Sequence, residues 1–332
     1  MNFKFLLFLK AAIKRMELTI KVHDNIKSAR LRKLLDICLF PAALINVVKL
    51  CLNYKTKASK KKHFKYNLAL CSIIKNEAPY ISEWIDYHKK IGIQHLYIYD
   101  NDSDDGLQDI LTPYIKNGDV TYCKIKGMSR QHDAYNDCLN KHELEAKYIF
   151  FLDADEFVFC PNSNSNLFNI VNSFFVNQYV GGLAINWIIF GSSGYVSRSG
   201  ESVTKTFLRR SEKNFEKNKH IKTVCNPRKV LGFTSAHFPV YLKKFYAINE
   251  VGEKIYGPIS KQVHVDKIRI NHYFTKSKRE FIIKKNRGEA DNFSKRSMKD
   301  FYDHDRNEVF DNSIMKKIVE ENNEENYNFR NR

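Results

Sequence analysis

Hydrophobic and polar positions along the chain fall into two regimes that meet near residue 66. From residue 67, short apolar runs alternate with stretches of helical periodicity. Leu68–Ile74 is almost wholly apolar, and Pro79–Ile91 follows with Ile81, Trp84, Ile85 and His88 at helical spacing. Gln94–Tyr99 and Val120–Ile125 read as further strands, and Leu107–Ile115 and Gln131–Leu144 as further helices. Tyr148–Leu152 holds β-forming residues without polar alternation, the pattern of a strand covered on both faces. This cadence predicts an α/β fold with a doubly wound, mostly parallel sheet. Right-handed crossovers would bring the loops after Ile74, Tyr99 and Leu152 to one sheet edge. Beyond Asn162 the cadence weakens. Gly181–Phe190 predicts a strand, Gly191–Gly200 a mobile loop, and Val203–Arg210 and the 220s to 240s β-structure. From Asn286 onward the chain reads as polar, basic and helical before a fraying tail. The resulting divisions are a segment at 1–65, a main domain at 66–310 and a polar tail at 311–332.

Charge separates the first segment from the rest. The net charge is +18, yet residues 1–66 hold 16 Lys/Arg against Glu17, Asp24 and Asp36, a net of +13. The basic character therefore belongs to this segment, beside an apolar run rather than along an aromatic-bearing groove, which argues against nucleic-acid binding. That run, ICLFPAALINVVKLCL at Ile37–Leu52, has 16 residues broken by Pro41 and Lys49, short of the ~20 a spanning helix needs. Both flanks are basic, so the expectation is an in-plane or re-entrant attachment to an anionic membrane surface from the cytoplasm. The alternative is a helix packed against the main domain. As an anchor, residues 1–65 would be removable without harming the domain. Phe3–Ile13 is a second, smaller amphipathic patch. The seven scattered cysteines lack CxxC spacing, which suggests neither a disulfide framework nor a zinc site.

The candidate chemistry centres on YIFFLDADEF, Tyr148–Phe157, where an apolar strand stops on Asp153, Asp155 and Glu156. Carboxylates in that position sit at the carboxyl edge of a sheet, where open α/β folds bind ligands. Held so close, ionised carboxylates repel unless a cation joins them, and hard oxygen donors suit Mg²⁺ or Mn²⁺. The acids read either as a divalent-metal grip on nucleotide phosphates or as an acidic turn capping the next helix. The loop Asp100–Gly106 has the same double reading, as helix cap or as a carboxylate for a nucleotide base or ribose. Asn76 and Glu77 share that ambiguity.

Five stretches in order resemble glycosyltransferase family 92 and its family-2-like relatives over about residues 67–295: CSIIKNEAPYISEWIDYHKKIGIQHLYIYDNDSDD, YNDCL, FFLDADEF, INWIIFGSSG and INHYFTKSKREFIIKKNRGEAD. The resemblance implies a GT-A fold, a UDP-sugar donor of the UDP-galactose type, Mn²⁺ or Mg²⁺, and inversion at the anomeric carbon. The acceptor would be a saccharide or glycolipid in surface glycan synthesis. Asp153 and Asp155 would form the DxD pair, Asp155 on the metal and Asp153 on the ribose or a metal-bound water. Asn76, Glu77 and Asp100 would frame the nucleoside, with Arg130 and Gln131 near the donor. His272 matches a late histidine that ligates the metal, the alternative being a packed histidine beside Tyr273, with His237 and His264 as rivals. Lys278, Lys284, Lys285 and Arg287 would close over the pyrophosphate or form a solvated helix face. Trp187 and Phe190 would stack on a sugar or lie in the core. A carboxylate base would take the acceptor's proton, with Glu156, Glu201 and Asp291 as candidates. The competing functions are a GT-A-like glycan binder without catalysis and a metal-dependent phosphatase or nuclease, which would want more ligands in one cluster.

Overall fold

The computed structural model describes residues 3–26, 28–56, 61–162, 165–198, 200–286 and 296–319. Four helices come first: α1 Phe3–Arg15, α2 Glu17–Asn25, α3 Ala29–Cys38 and α4 Phe40–Thr56. An alternating half follows: β1 Tyr66–Ile74, α5 Ala78–Lys90, β2 His95–Asp100, α6 Leu107–Lys116, β3 Val120–Lys124, α7 Gln131–His142 and β4 Ala146–Phe151. Next come β5 Glu156–Phe159, α8 Leu167–Ser173, β6 Val180–Ile189, α9 Val203–Thr206, β7 Arg209–Arg210 and β8 Ile221–Cys225. The rest holds β9 Val230–Phe233, β10 Pro239–Tyr241, β11 Tyr246–Ile248, β12 Lys254–Ile255, β13 Arg269–His272, α10 Lys278–Asn286, α11 Met298–His304 and β14 Val309–Phe310.

Burial on both faces explains why β1 lacks polar alternation. Leu68 and Leu70 face one core with Trp84 of α5 and Leu111 of α6. Ala69, Cys71 and Ile73 face another, with Tyr135 and Leu139 of α7. β1 runs parallel to β2 and to β4, and β2 parallel to β3. Their C-terminal ends therefore share one edge. Beyond β4 the sheet continues through β8, β6, β11 and β12. β8 is antiparallel to both neighbours, whereas β11 is parallel to β6. This is a mixed α/β fold with a mostly parallel central sheet. β13 joins β6 in parallel and β5 antiparallel, which sets His272 directly opposite Glu156.

Three expectations for the second half change. Val203–Arg210 opens as a helix rather than a strand, because the Glu83 carboxylate accepts from Val203 N at 2.6 Å and Thr204 N at 2.9 Å. A tertiary carboxylate at a helix start overrides the β-branched sequence. The loop from Gly191 is tied down where it begins, with Ser192 N donating to Asp305 Oδ1 at 2.6 Å and Ser193 N to Asn307 Oδ1 at 2.8 Å. The domain also runs past residue 311. Asp311 accepts from Arg210 at 2.6 Å and Arg269 at 2.8 Å, and Ile314 is buried in the main core.

The largest correction concerns the N-terminal segment, whose helices α1, α2 and α4 are docked on the domain rather than strung from it. Ala11 and Ala12 of α1 and Ala43 of α4 are fully buried in a cluster with Leu231 of β9 and Leu242. Small residues on α1 meet a glycine here: a Cβ on Gly232 would stand 2.7 Å from the Ala11 carbonyl oxygen. Arg15, 1% exposed, donates to Asn140 Oδ1 at 2.5 Å and pairs with Glu143 at 2.8 Å, the first in the last turn of α7 and the second just past its end. His23 lies between Asp133 at 3.1 Å and Asp36 at 3.1 Å. Burial alone would lower the pKa of His23, but those two carboxylates outweigh it and raise it.

Deleting residues 1–65 is accordingly expected to leave an insoluble or molten domain. Arg15→Ala should cost about 3 kcal/mol, because it strands part of a buried ion pair. Urea unfolding of the full chain measures this, and unchanged stability in Arg15→Ala together with a cooperative fold in the truncated chain would make the segment a mere appendage.

Candidate active site

Each acid of the DADEF run is held by a different arrangement. Asp153 follows the end of β4, and its carboxylate accepts from Gln131 Nε2 at 2.6 Å and Lys222 Nζ at 2.8 Å. Gln131 is the first residue of α7, so the helix begins at the site. Lys222 lies on β8 and is fully buried. Its ammonium is also 3.6 Å from Glu156. Asp155 is buried and pairs with the Lys284 ammonium of α10, while His272 Nε2 stands 3.5 Å from its Oδ1. Lys284 further donates to the Phe274 carbonyl at 2.8 Å and sits 4.1 Å from that ring's centroid.

Electrostatics divide the acids. Burial pushes Asp155 up, but Lys284 and His272 outweigh it and hold the group well below the ordinary carboxylate range. Glu156 goes the other way, driven well above that range by burial despite the nearby Lys222. Lys222 is raised by Asp153 and Glu156, which prevail over its own burial. Burial lowers Lys284 to about 8 in spite of Asp155. The result is a compact site in which carboxylates, half-buried at Asp153 and buried at Asp155 and Glu156, alternate with buried ammoniums.

The other expected residues divide into those at the site and those elsewhere. Asn76, with φ 53° in the turn after β1, donates through Nδ2 to Asp104 at 2.7 Å, and its backbone N donates to Ser103. Asp100 accepts from Tyr122 O–H at 2.6 Å and Ser103 N at 2.9 Å. The loops after β1 and β2 thus interlock at the shared edge. Glu77 pairs with Lys276 at 3.1 Å, and Lys276 lies close enough to Asp155 to favour its ionisation. Arg130 turns away from this assembly. Its guanidinium binds Asp24 and Asp133 at 2.8 Å each and donates to the Ile20 carbonyl, so it fastens α2 instead of facing a donor. Glu156 is completely enclosed, which removes it as the group that receives a proton from an incoming acceptor. Glu201 is exposed just before α9. Asp291 and Arg287 lie outside the described residues.

Among the histidines, His237 donates from Nδ1 to the Ile221 carbonyl, 3.1 Å away, and burial lowers it to about 3. His264 approaches Glu253. His272 alone of the three abuts Asp155. Trp187 and Phe190 are buried, with His272, His220 and His237 ranged around the Trp187 ring at 4.3, 5.1 and 5.2 Å. The residues that sequence reading missed are Lys222 and Lys276. A lone lysine inside the apolar strand IKTVC was the available sign of the first.

The donors present suit a hard divalent cation: two carboxylates and an imidazole nitrogen beside one of them. Glu156 Oε1 and His272 Nδ1 are among the buried polar atoms that lack a hydrogen-bond partner within the described residues, and they belong to directly opposed residues of β5 and β13. Buried polar atoms of this kind ask for a water or an ion. Among the described residues, however, no group of three or more His, Cys, Asp or Glu side chains forms a ready cage. A cation here would complete its shell with ligands from a bound substrate, as Mg²⁺ usually does with phosphates.

Comparison with known proteins gives a family match over residues 67–311, to the model described as Glycosyltransferase family 92. A glycosyltransferase family 92 protein of Arabidopsis thaliana is 30% identical over 173 residues, covering 50% of this chain and 30% of that protein. Another from Oryza sativa subsp. japonica is 31% identical over 147 residues, covering 43% and 25%. A galactan beta-1,4-galactosyltransferase of Arabidopsis thaliana is 29% identical over 123 residues, covering 34% and 24%. The aligned part of the chain thus spans less than a third of these relatives. Among solved structures, that of S. aureus TarS 1-349 in complex with UDP superposes with a TM-score of 0.34 at 12% identity, covering 55% of this chain and 60% of that one.

Lys222→Met should destabilise the protein by about 2 kcal/mol at neutral pH, because it takes the buried ammonium away from the half-buried Asp153 carboxylate. Pairing with Lys222 depresses Asp153, so its contribution is present above the ordinary carboxylate value and lost as pH falls through the folded one. The gap between wild type and variant should therefore narrow on acidification. Denaturation at several pH values measures it, and a gap that widens in acid would contradict this charge assignment.

Proposed function

The chain belongs to glycosyltransferase family 92, and from that premise we propose that it transfers a hexosyl unit from a UDP-sugar to a saccharide hydroxyl, using the carboxyl edge of its sheet as a GT-A donor site. The observation that carries this reading is the meeting of Asp153 and Asp155 with His272 and three lysines at that edge. Nucleoside recognition falls to the interlocked loops bearing Asn76, Glu77 and Asp100. The name of the plant galactosyltransferase relatives favours galactose as the transferred sugar. A β product formed from an α-linked nucleotide sugar requires inversion, hence a single displacement.

Asp155 and His272, with Asp153 beside them, would hold a Mn²⁺ or Mg²⁺ ion. When bound, such an ion neutralises charge that builds on the leaving diphosphate. Gln131 and Lys222 fix the Asp153 carboxylate in one orientation, so little reorganisation accompanies the reaction. Lys284 and Lys276 are placed to move from carboxylate to phosphate oxygens, since an ammonium serves both as a point charge. Burial shifts Glu156 towards its neutral form, which limits the negative charge around the acid pair. Deprotonation of the acceptor needs a carboxylate that solvent can reach, and Glu201 meets that condition.

Nucleotide release from UDP-galactose, UDP-glucose, UDP-N-acetylglucosamine and GDP-mannose, with Mn²⁺ present, tests the reading. UDP-galactose should be hydrolysed or transferred fastest, and Asp155→Asn should lower the rate about 100-fold while leaving the chain folded. No turnover of any nucleotide sugar by folded wild type, or full activity in Asp155→Asn, would overturn it.

A further inference from the structure

The helices α3 and α4 carry a feature that donor chemistry does not use. α4 is apolar on nearly all sides, and only half of it is covered. Its inner stripe, Ala43, Val47, Leu50, Cys51 and Tyr54, follows helical spacing and packs into the cluster with α1, β9 and β10. Its outer stripe, Ile45, Val48 and Leu52, is 62%, 57% and 55% exposed. Across the bend, α3 continues the surface with Leu34 and Ile37, 60% and 69% exposed. Monomeric soluble proteins seldom leave so many large aliphatic side chains uncovered side by side.

Charge identifies what covers this face. Arg30 and Lys33 on α3 and Lys49 on α4 are exposed. Helical spacing puts Lys33 next to Ile37 and Lys49 between Ile45 and Leu52. Lysines set within the apolar stripe suit a lipid headgroup layer, where the stem lies along acyl chains and the ammonium reaches phosphate. They do not suit the core of a protein interface, from which lysine is depleted. No single helix among the described residues is long and apolar enough to cross a membrane; α3 and α4 are so only as a pair, and that pair is bent by 64°. The inner stripe, moreover, is already committed to the domain.

We infer that α3 and α4 form a monotopic platform that lies in the interface of an anionic bilayer, fixed rigidly to the catalytic domain by the inner face of α4 and by α1. Because Arg130 and Asp133 of α7 bind α2 while Gln131 of α7 binds Asp153, the platform holds the active-site edge at a set orientation to the membrane. The acceptor class that fits is one presented at a bilayer surface, such as a lipid-linked saccharide.

Cosedimentation of the purified full chain with vesicles tests this, using phosphatidylcholine alone and phosphatidylcholine with about one-third phosphatidylglycerol. Wild type should pellet with the anionic vesicles and be released by salt. The variant Ile37→Glu, Ile45→Glu, Val48→Glu should bind at least tenfold less, with an unchanged melting temperature and unchanged UDP-sugar hydrolysis. The variant Lys33→Gln, Lys49→Gln should lose the preference for anionic over neutral vesicles. The inference is overturned if wild type stays in the supernatant at low salt, or if the glutamate variant pellets like wild type. It is equally overturned if wild type is a dimer that those substitutions disperse, since a second copy would then cover the face. Hydrolysis is read separately, so failure of the donor chemistry is distinguishable from failure of the platform.

Discussion

Placing a pair of carboxylates at a buried sheet edge is possible only if something positive is buried with them. In this protein the compensation comes from the chain itself, through Lys222 of β8 at Asp153 and Lys284 of α10 at Asp155. Isolated ions transferred from water would cost several kcal/mol each, and pairing offsets that cost only where geometry is good. The demand shapes the fold around it. β8 inserts antiparallel between β4 and β6, which delivers Lys222. β13 and the segment after it fold back across β5, which delivers His272, Lys276 and Lys284.

The alternating half was legible because its pattern is local. Strands covered on both faces advertise themselves as apolar runs, and β1, β2, β3 and β4 appear within two residues of where the sequence places them. The convergence of the acidic loops also followed from parallel topology alone. The second half was not legible, because distant partners decide it. α9 is a helix because of Glu83, and the end of the domain is fixed by Arg210 and Arg269 reaching Asp311. His272 was found by resemblance. Lys222 was overlooked because an interior lysine looks like a strand's solvent-facing residue until its neighbours are known.

The N-terminal helices show the same limit from the opposite side. Hydropathy identified Ile37–Leu52 as apolar, but it carried no sign that alternate faces of one helix serve two different environments. Only the facing residues of β9 and β10 reveal which half of α4 is interior. The docked helices also change the meaning of Arg130. The family resemblance implied a donor contact for it, and its guanidinium instead ties α2 to the helix that begins at the active site.

If the chain's own lysines neutralise the acid pair until substrate arrives, a divalent cation and the nucleotide must bind cooperatively. The direct measurement is a Mn²⁺ titration followed by tryptophan fluorescence, with and without UDP. It is well placed because Trp187 is 4.3 Å from the His272 ring and Trp84 Nε1 donates to the Glu156 carbonyl at 2.8 Å. Mn²⁺ alone should bind weakly, and UDP should tighten its binding by about tenfold or more, the same factor by which Mn²⁺ tightens UDP. Tight Mn²⁺ binding that UDP leaves unchanged would contradict the account, because it would require a complete metal cage that does not depend on the substrate.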